Sequence, residues 1–210
     1  KNVFIMHAYP PRDFIMNNIE KIDGESIVYF GNVTTEPNFT YGYRYYNDIF
    51  KTLAENNIKV YLYLSRPLRE EEKKYYYNHK KIFIFNKIPH YSLYQEICKY
   101  QVGFAGYNII GVPSYAVQYV KYCIPNKTFD YMYAGIPTLG YNLGLAEKYV
   151  KKWGYCINEG GCIVDAYYKA KSLACNINFE YFRKKYNIEK HIPEFAKVYY
   201  SVFPENTISS

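Results

Sequence analysis

Long hydrophobic runs are absent from this sequence of 210 residues. Its longest apolar segments, KVYLYL and KIFIF, have the length of strands, whereas a helix that spans a membrane needs about 20 apolar residues. The five cysteines are scattered and form no CxxC pair, which argues against both a zinc site and a disulfide framework. We therefore expect a soluble protein whose cysteines are buried free thiols in a reducing cytosol.

Several catalytic signatures are also missing. The sequence contains no Walker A loop, no GxGxxG after its first strand, no HExxH and no GxSxG. These absences exclude the nucleotidase, dehydrogenase, metalloprotease and hydrolase classes that the motifs define. The four histidines lack the spacing of metal ligands, so we predict no metal site and no cofactor.

Positive charge and tyrosine are the two abundant features of the composition. The net charge of +7 permits an anionic partner, whether nucleotide, lipid headgroup or nucleic acid. The 29 tyrosines admit two interpretations. They pack on half-buried faces with their hydroxyls in water, or they form a platform on which bases stack.

Short β-rich runs alternate with segments of helical spacing along most of the chain. The predicted strands are 26–30, 59–64, 81–85, 102–105 and 137–140. The predicted helices between and after them are 45–56, 69–79, 91–100, 126–134 and 143–152, followed by two closing helices within 165–176 and 187–203. This alternation predicts an α/β fold, a Rossmann-like parallel sheet with helices on both faces.

Ligands of such sheets bind beyond the carboxyl ends of the strands, which directs attention to the loops 31–44, 86–90, 106–125 and 141–144. One of them leads into the segment PNKTFDYMYAGIPTLG. Its Pro125 suits the first turn of a helix, where the missing N–H is no loss. Lys127 and Asp130 follow at a spacing of three residues, so they form either a surface ion pair or a pair that contacts an anionic ligand.

This segment, 125–140, resembles the pattern P-x-K-x-[FL]-[DE]-Y-M-A-x-G-x-P-V of the C-terminal, donor-binding domain of GT-B glycosyltransferases of the group 1, family 4-like type. Three further segments agree with that domain in order: IVYFGNV, HYSLYQEICKYQVGFAGYN and YNIEKHIPEFAKVYY. The resemblance implies an interdomain strand and linker at 1–25, a domain that binds a nucleotide-diphosphate sugar at 26–203, and a tail at 204–210.

The resemblance also assigns roles to individual residues. Asp130 matches the acid that binds the donor ribose, and Lys127 matches a lysine that contacts the donor phosphates. Gly31 and Asn32 match the glycine loop beside the pyrophosphate. Arg44 is our candidate for a second phosphate contact.

Three further residues are predicted to contact the donor. Asn126 lies at the start of the helix that carries Lys127, and Lys87 and His90 lie in the loop that holds the base. Retaining members carry a glutamate eight residues before the ribose acid, where this chain has Tyr122. The resemblance therefore assigns no retaining course, and Tyr119 and Tyr122 either line the sugar pocket or simply pack.

The resemblance implies a glycosyltransferase of the hexosyl type that takes a UDP- or GDP-sugar in glycan biosynthesis. No DxD motif of metal-dependent transferases is present, so we expect no catalytic metal. The expected partners are a glycan, lipid-linked or protein acceptor and an N-terminal acceptor-binding domain that supplies the general base. We expect a cytoplasmic location, with peripheral membrane contact through the basic end of the charged segment 66–81.

Two rival functions stay open. A nucleotide-sugar 2-epimerase of the same fold would use the same donor site without an acceptor. A non-catalytic module that binds nucleic acid or another anion would use the basic, tyrosine-rich surface instead. We expect no nucleic acid partner, because lysine and arginine are spread along the whole chain with acids between them.

Overall fold

A six-stranded parallel sheet forms the centre of the protein. The computed structural model describes residues 10, 19–36, 41–76, 79–89 and 92–202. The strands are β1 (Ser26–Gly31), β2 (Lys59–Leu64), β3 (Ile82–Asn86), β4 (Val102–Gly106), β5 (Thr138–Tyr141) and β6 (Gly154–Ile157). Their order across the sheet is β3-β2-β1-β4-β5-β6, the order of dinucleotide-binding Rossmann folds. The predicted α/β fold is confirmed.

Helices connect the strands and close the chain. Within the described residues they are α1 (Asn47–Glu55), α2 (Glu70–Tyr76), α3 (Leu93–Ile97), α4 (Ser114–Tyr122), α5 (Lys127–Tyr133), α6 (Glu147–Val150), α7 (Ile163–Leu173), α8 (Phe179–Lys185) and α9 (Ile188–Val202). Short 3-10 turns lie at Gly42–Arg44, Gly144–Ala146 and Ala174–Asn176.

Three elements were missed by the sequence prediction. The strand β6 has only four residues and begins with a glycine, a residue that is depleted in strands. The helix α4 occupies part of 106–125, which we had expected to be a loop. It begins after Pro113 without a side-chain cap, the signal by which a helix start is usually recognised. The helix α8 separates the two closing helices that were predicted.

Apolar side chains cover both faces of the sheet. On one face, Tyr29, Phe50 and Phe104 belong to a cluster that also includes residues of α7. On the other face, the cluster contains residues of α3, α4 and α5, among them Tyr131. Because both faces are buried, the strands are nearly continuous apolar runs, and the sheet fixes the position of every loop at its carboxyl edge.

Many tyrosines lie entirely inside the protein, and their hydroxyls bond to other protein groups. The Tyr46 hydroxyl donates to the Gly106 carbonyl at 2.7 Å, and the Tyr167 hydroxyl accepts from the Ser26 amide at 2.9 Å. The packing interpretation of tyrosine is therefore confirmed for these residues, but the expectation that their hydroxyls stay in water is wrong for them. Buried tyrosine hydroxyls usually find a partner, although the buried Tyr76 hydroxyl has none among the described residues.

The cysteines are free thiols, as predicted, but most of them are not buried. Cys98 is buried, Cys123 and Cys156 are half-buried, and Cys162 and Cys175 are exposed. The expectation of burial is thus wrong for four of the five positions. The two exposed cysteines flank α7: Cys162 precedes its first residue, and Cys175 lies in the 3-10 turn after it.

Two parts of the predicted domain division lie mainly or wholly outside the described residues: most of the linker 1–25, and the tail 204–210. The described end of the linker contacts the domain, since the Lys21 ammonium donates to the Cys98 and Tyr100 carbonyls at 2.7 and 2.9 Å. Within the described ranges, no helix has the length and apolarity that crossing a bilayer requires.

The strands β1 and β4 separate soon after they meet. They pair only at Ile27 with Val102 and at Val28 with Gly103, and the direction of strand progression reverses between them. The Tyr131 hydroxyl of α5 spans the widening gap, at 3.1 Å from the Val28 carbonyl and 3.0 Å from the Phe104 carbonyl. Gly103 leaves room for the ring, since a Cβ there would lie 2.3 Å from Tyr131 Cγ.

We expect Tyr131→Phe to lower the free energy of unfolding by about 1–3 kcal/mol, because the substitution removes a buried donor from strand carbonyls. Urea denaturation measures the change. Tyr115→Phe is the matched control, since this tyrosine is 59% exposed, and its effect should stay within about 0.5 kcal/mol. Equal effects of the two substitutions would show that the bridging hydroxyl does not hold the strands.

Candidate functional site

A cavity of about 410 Å³ opens where β1 and β4 separate. This is the topological switch point of the sheet, the position at which open α/β sheets bind their ligands. Its lining comes from the ends of β1, β2 and β4, the segment before α1, the end of α4 and the start of α5. The lining residues are Tyr29, Phe30, Gly31, Asn32, Arg44, Tyr46, Ser65, Gly106, Tyr107, Tyr119, Cys123, Ile124, Pro125, Asn126, Lys127 and Asp130.

Lys127, the first residue of α5, has an ammonium group without an ionic partner among the described residues. Its Nζ lies 3.8 Å from the centroid of the Tyr29 ring, and in the described part of the chain it makes neither a hydrogen bond nor an ion pair. Burial, reinforced by repulsion from Arg44, lowers the pKa of Lys127 to about 7. A cation in the first turn of a helix is also opposed by the helix dipole, so the position favours an anion.

Asp130 lies one turn further along α5 and enters the same cavity. Burial raises the pKa of its carboxyl group to about 6, against the opposing effects of the Tyr94 hydroxyl, which donates to Oδ1 at 2.9 Å, and of Lys127. The Lys127 and Asp130 charges attract each other, yet among the described residues they make no direct ion pair. The surface ion pair that we considered from the sequence is therefore not what the structure contains.

The turn after β1 brings the backbone close to this lysine. Gly31 has φ of 136°, a conformation that residues with a side chain rarely adopt. A Cβ at this position would lie 3.1 Å from the Tyr29 hydroxyl and 3.2 Å from Lys127 Nζ. The side chain of the next residue has an unsatisfied acceptor: Asn32 Oδ1 is buried and accepts no hydrogen bond from the residues that are described.

A second groove of about 750 Å³ shares Asn32 and Arg44 with this cavity, and two further arginines line it. These two arginines, Arg66 and Arg69, form ion pairs with the buried carboxylate of Glu72. Glu72 accepts from Arg66 twice at 2.6 Å and from Arg69 at 3.2 Å, and the Arg66 hydrogen bonds lower the pKa of Glu72 to about 2. Arg44, by contrast, contacts the rings of Tyr41 and Tyr43 and makes no ion pair with any of the residues that the structure describes.

The structure brings together six of the nine side chains or glycines that the sequence singled out: Gly31, Asn32, Arg44, Asn126, Lys127 and Asp130. Tyr122 and Lys87 are exposed and do not line the cavity, and His90 lies outside the described residues. Their roles remain predictions.

The sequence reasoning missed part of the lining. Tyr29, Gly106 and Tyr107 stand at the carboxyl ends of β1 and β4, and Cys123 accepts a hydrogen bond from the Tyr107 hydroxyl at 3.0 Å. The usable signal was position: residues at the ends of the two strands that flank the switch point must face the ligand. Their type gave no signal, because tyrosine is common throughout the chain.

Known structures share the fold of this chain. No protein-family model and no curated protein sequence matches it. One similar structure is AviGT4, a glycosyltransferase involved in avilamycin A biosynthesis, with 12% identity and a TM-score of 0.52 over 90% of this chain and 58% of that one. Another is the pneumococcal O-GlcNAc transferase GtfA in complex with UDP and GlcNAc, with 13% identity and a TM-score of 0.53 over 91% of this chain and 39% of that one.

The chain thus spans 58% and 39% of the lengths of these two glycosyltransferases. Identity at this level establishes similarity of fold. The predicted resemblance is confirmed to that extent: the chain has a glycosyltransferase-like α/β fold.

We expect Lys127→Met to change how stability depends on pH. The Lys127 pKa is lowered from 10.5 to about 7 in the folded chain, so the unfolded chain binds more protons between these two pH values. This lysine therefore destabilises the fold progressively more as pH falls. Urea denaturation between about pH 7 and pH 10 should therefore show the natural chain gaining on Lys127→Met as pH rises. The exposed Lys148 provides the control, and Lys148→Met should parallel the natural chain. A pH-independent difference for Lys127→Met would contradict the lowered pKa.

Proposed function

We propose that this chain is the donor-binding domain of a glycosyltransferase and that its cavity holds a nucleotide-diphosphate sugar. One observation carries the proposal. Within the described part of the chain, the Lys127 ammonium lies beside Gly31 without an ionic partner. It is one helical turn from the Asp130 carboxyl group, at the switch point of a Rossmann-like sheet. An anion next to a hydrogen-bonding diol would satisfy both groups, and a nucleotide contains these two features side by side.

The spacing of the two groups suits neighbouring parts of one nucleotide. Residues three apart on a helix have Cβ atoms about 5–6 Å apart, which matches adjacent ribose and phosphate groups. In the proposal, the Asp130 carboxylate accepts hydrogen bonds from the ribose hydroxyls, and Lys127 faces the diphosphate. Gly31 carries no side chain, so the backbone of the turn approaches the phosphates.

Cations then assist the chemical step. When the glycosidic bond to the donor breaks, negative charge builds up on the departing nucleoside diphosphate. Lys127 and Arg44 stabilise that charge from fixed positions, which is the part that a metal ion takes in metal-dependent transferases. An anionic ligand also raises the pKa of Lys127, so donor binding is accompanied by proton uptake near neutral pH.

The similar structures support this assignment. Both are glycosyltransferases, and GtfA is in complex with UDP and GlcNAc. The rest of the proposal follows the sequence: a hexosyl donor, a base that lies near Lys87 and His90, and a glycan, lipid-linked or protein acceptor presented by an N-terminal domain that also supplies the general base. A cytoplasmic site of action with peripheral membrane contact belongs to the same proposal.

Calorimetric titration with UDP, GDP, ADP and CMP tests the donor site. We expect one nucleoside diphosphate to bind, and we expect Lys127→Met and Asp130→Asn each to weaken it roughly tenfold or more, because each removes a hydrogen bond to a charged group. The matched controls are Lys148→Met and Asp165→Asn. Both residues are exposed and lie outside the cavity, and their substitution should leave the affinity within about twofold.

Two results would contradict the proposal. If no nucleotide binds while a random oligonucleotide binds with an affinity that falls steeply with salt, the chain is a nucleic-acid-binding module. If the two cavity substitutions weaken nucleotide binding no more than their controls do, nucleotide binding occurs elsewhere. Turnover of a nucleotide sugar without acceptor would instead identify a 2-epimerase that uses the same site.

A further inference from the structure

Tyr29 of β1 contacts both the loop after Gly31 and the aromatic core beside the cavity. Its hydroxyl donates to the Asn32 carbonyl at 2.6 Å, which fixes the chain immediately after Gly31. Its ring is buried in the core and contacts the rings of Tyr46 and Phe104, with centroids 5.3 and 6.2 Å away. The side chain is therefore held rigidly from the core side while its outer face borders the cavity.

The ammonium of Lys127 rests on that outer face. At 3.8 Å from the ring centroid it lies well within the range of about 6 Å over which a cation and an aromatic face attract each other, and the attraction grows where water is excluded. A second, longer contact joins it to the Phe30 ring at 5.7 Å. Aromatic faces therefore take the place that a carboxylate takes in an ordinary buried ion pair.

The charged and titratable groups around Lys127 do not offer a stronger partner. Arg44, from the turn before α1, repels the ammonium, while Asp130 on α5 and Cys123 before α5 attract it from a distance. The Asp130 carboxylate is already bonded to the Tyr94 hydroxyl at 2.9 Å. A ring face holds the ammonium in place without forming an ion pair with it, so an anionic ligand can still pair with it.

We propose that Tyr29 is the positioning residue of the anion site: its ring holds the Lys127 ammonium beside Gly31, and its hydroxyl fixes the loop at Asn32, so that both contacts of a diphosphate are in place before it binds. This inference rests on the proposed function. It goes further because it identifies the side chain that orients the lysine toward a ligand. Preorganisation of this kind improves affinity by reducing what must be ordered on binding.

Proton NMR tests the arrangement without any ligand. The Lys127 ε-methylene is bonded to an ammonium that lies over the Tyr29 ring at 3.8 Å from its centroid, so we expect its proton resonances to be displaced upfield from those of the other lysines. Tyr29→Phe keeps the ring and should keep the displacement, whereas Tyr29→Leu should abolish it. An undisplaced Lys127 signal in the natural chain would overturn the proposal, and this measurement needs no substituted chain to fold.

A double-mutant cycle tests the consequence for binding, with inorganic pyrophosphate and UDP as the probes. Compared with Tyr29→Phe, which also lacks the hydroxyl, Tyr29→Leu should weaken binding about tenfold in the natural background and by less than about twofold in a Lys127→Met background, because the ring acts through the lysine. The control cycle combines Tyr149→Leu with Lys148→Met, an ammonium and ring pair at 5.0 Å outside the cavity, and should show no effect on affinity. Equal losses in both backgrounds would reduce Tyr29 to a core residue.

The two probes separate this inference from the proposed function. Binding of pyrophosphate but of no nucleotide, with the coupling intact, would contradict the donor-site function and leave the role of Tyr29 standing. Binding of UDP without coupling would do the opposite. If neither pyrophosphate nor any of the four titrated nucleotides binds although the upfield signal is present, the ring and ammonium form a core contact alone, and both proposals are overturned.

Discussion

One hydroxyl group at the point where β1 and β4 separate determines where the rest of the site lies. The Tyr131 side chain reaches from α5 through the space above Gly103 and bonds to carbonyls of both strands. Since Lys127 and Asp130 lie on the same seven-residue helix, their positions relative to the ends of the strands depend on this bond. A helix this short contributes little stability of its own, so its placement comes from tertiary contacts.

The helix anchored in this way carries two ionisable groups whose environments oppose their charges. Burial lowers the pKa of Lys127 and raises that of Asp130, so that both titrate near neutral pH. Folded chains usually remove such conflicts by pairing the charges, as Glu72 does with Arg66 and Arg69 in the neighbouring groove. Perturbed groups of this kind cluster at functional sites, and here they converge on one cavity.

The sequence predicted the parts of this structure that repeat a local pattern. Five of the six strands were found because apolar runs bounded by turns are visible in one dimension, and the α5 segment was found because Pro125, Lys127 and Asp130 form a recognisable pattern. The strand β6 and the helix α4 lack such patterns. Tyr29 could not be identified as a site residue, because its role depends on a lysine that is 98 positions away in the chain and adjacent only in the fold.

The uncompensated charge of Lys127 has a consequence for any effort to improve this protein by selection for heat resistance. An apolar replacement at that position would remove a desolvated cation from the fold, so it should be among the first substitutions that such a selection enriches. The selected variants would be more stable, but they would lack the cation in the cavity. A screen that rewards robustness alone would therefore drive the chain away from ligand binding, and only a screen performed with ligand present would retain both properties.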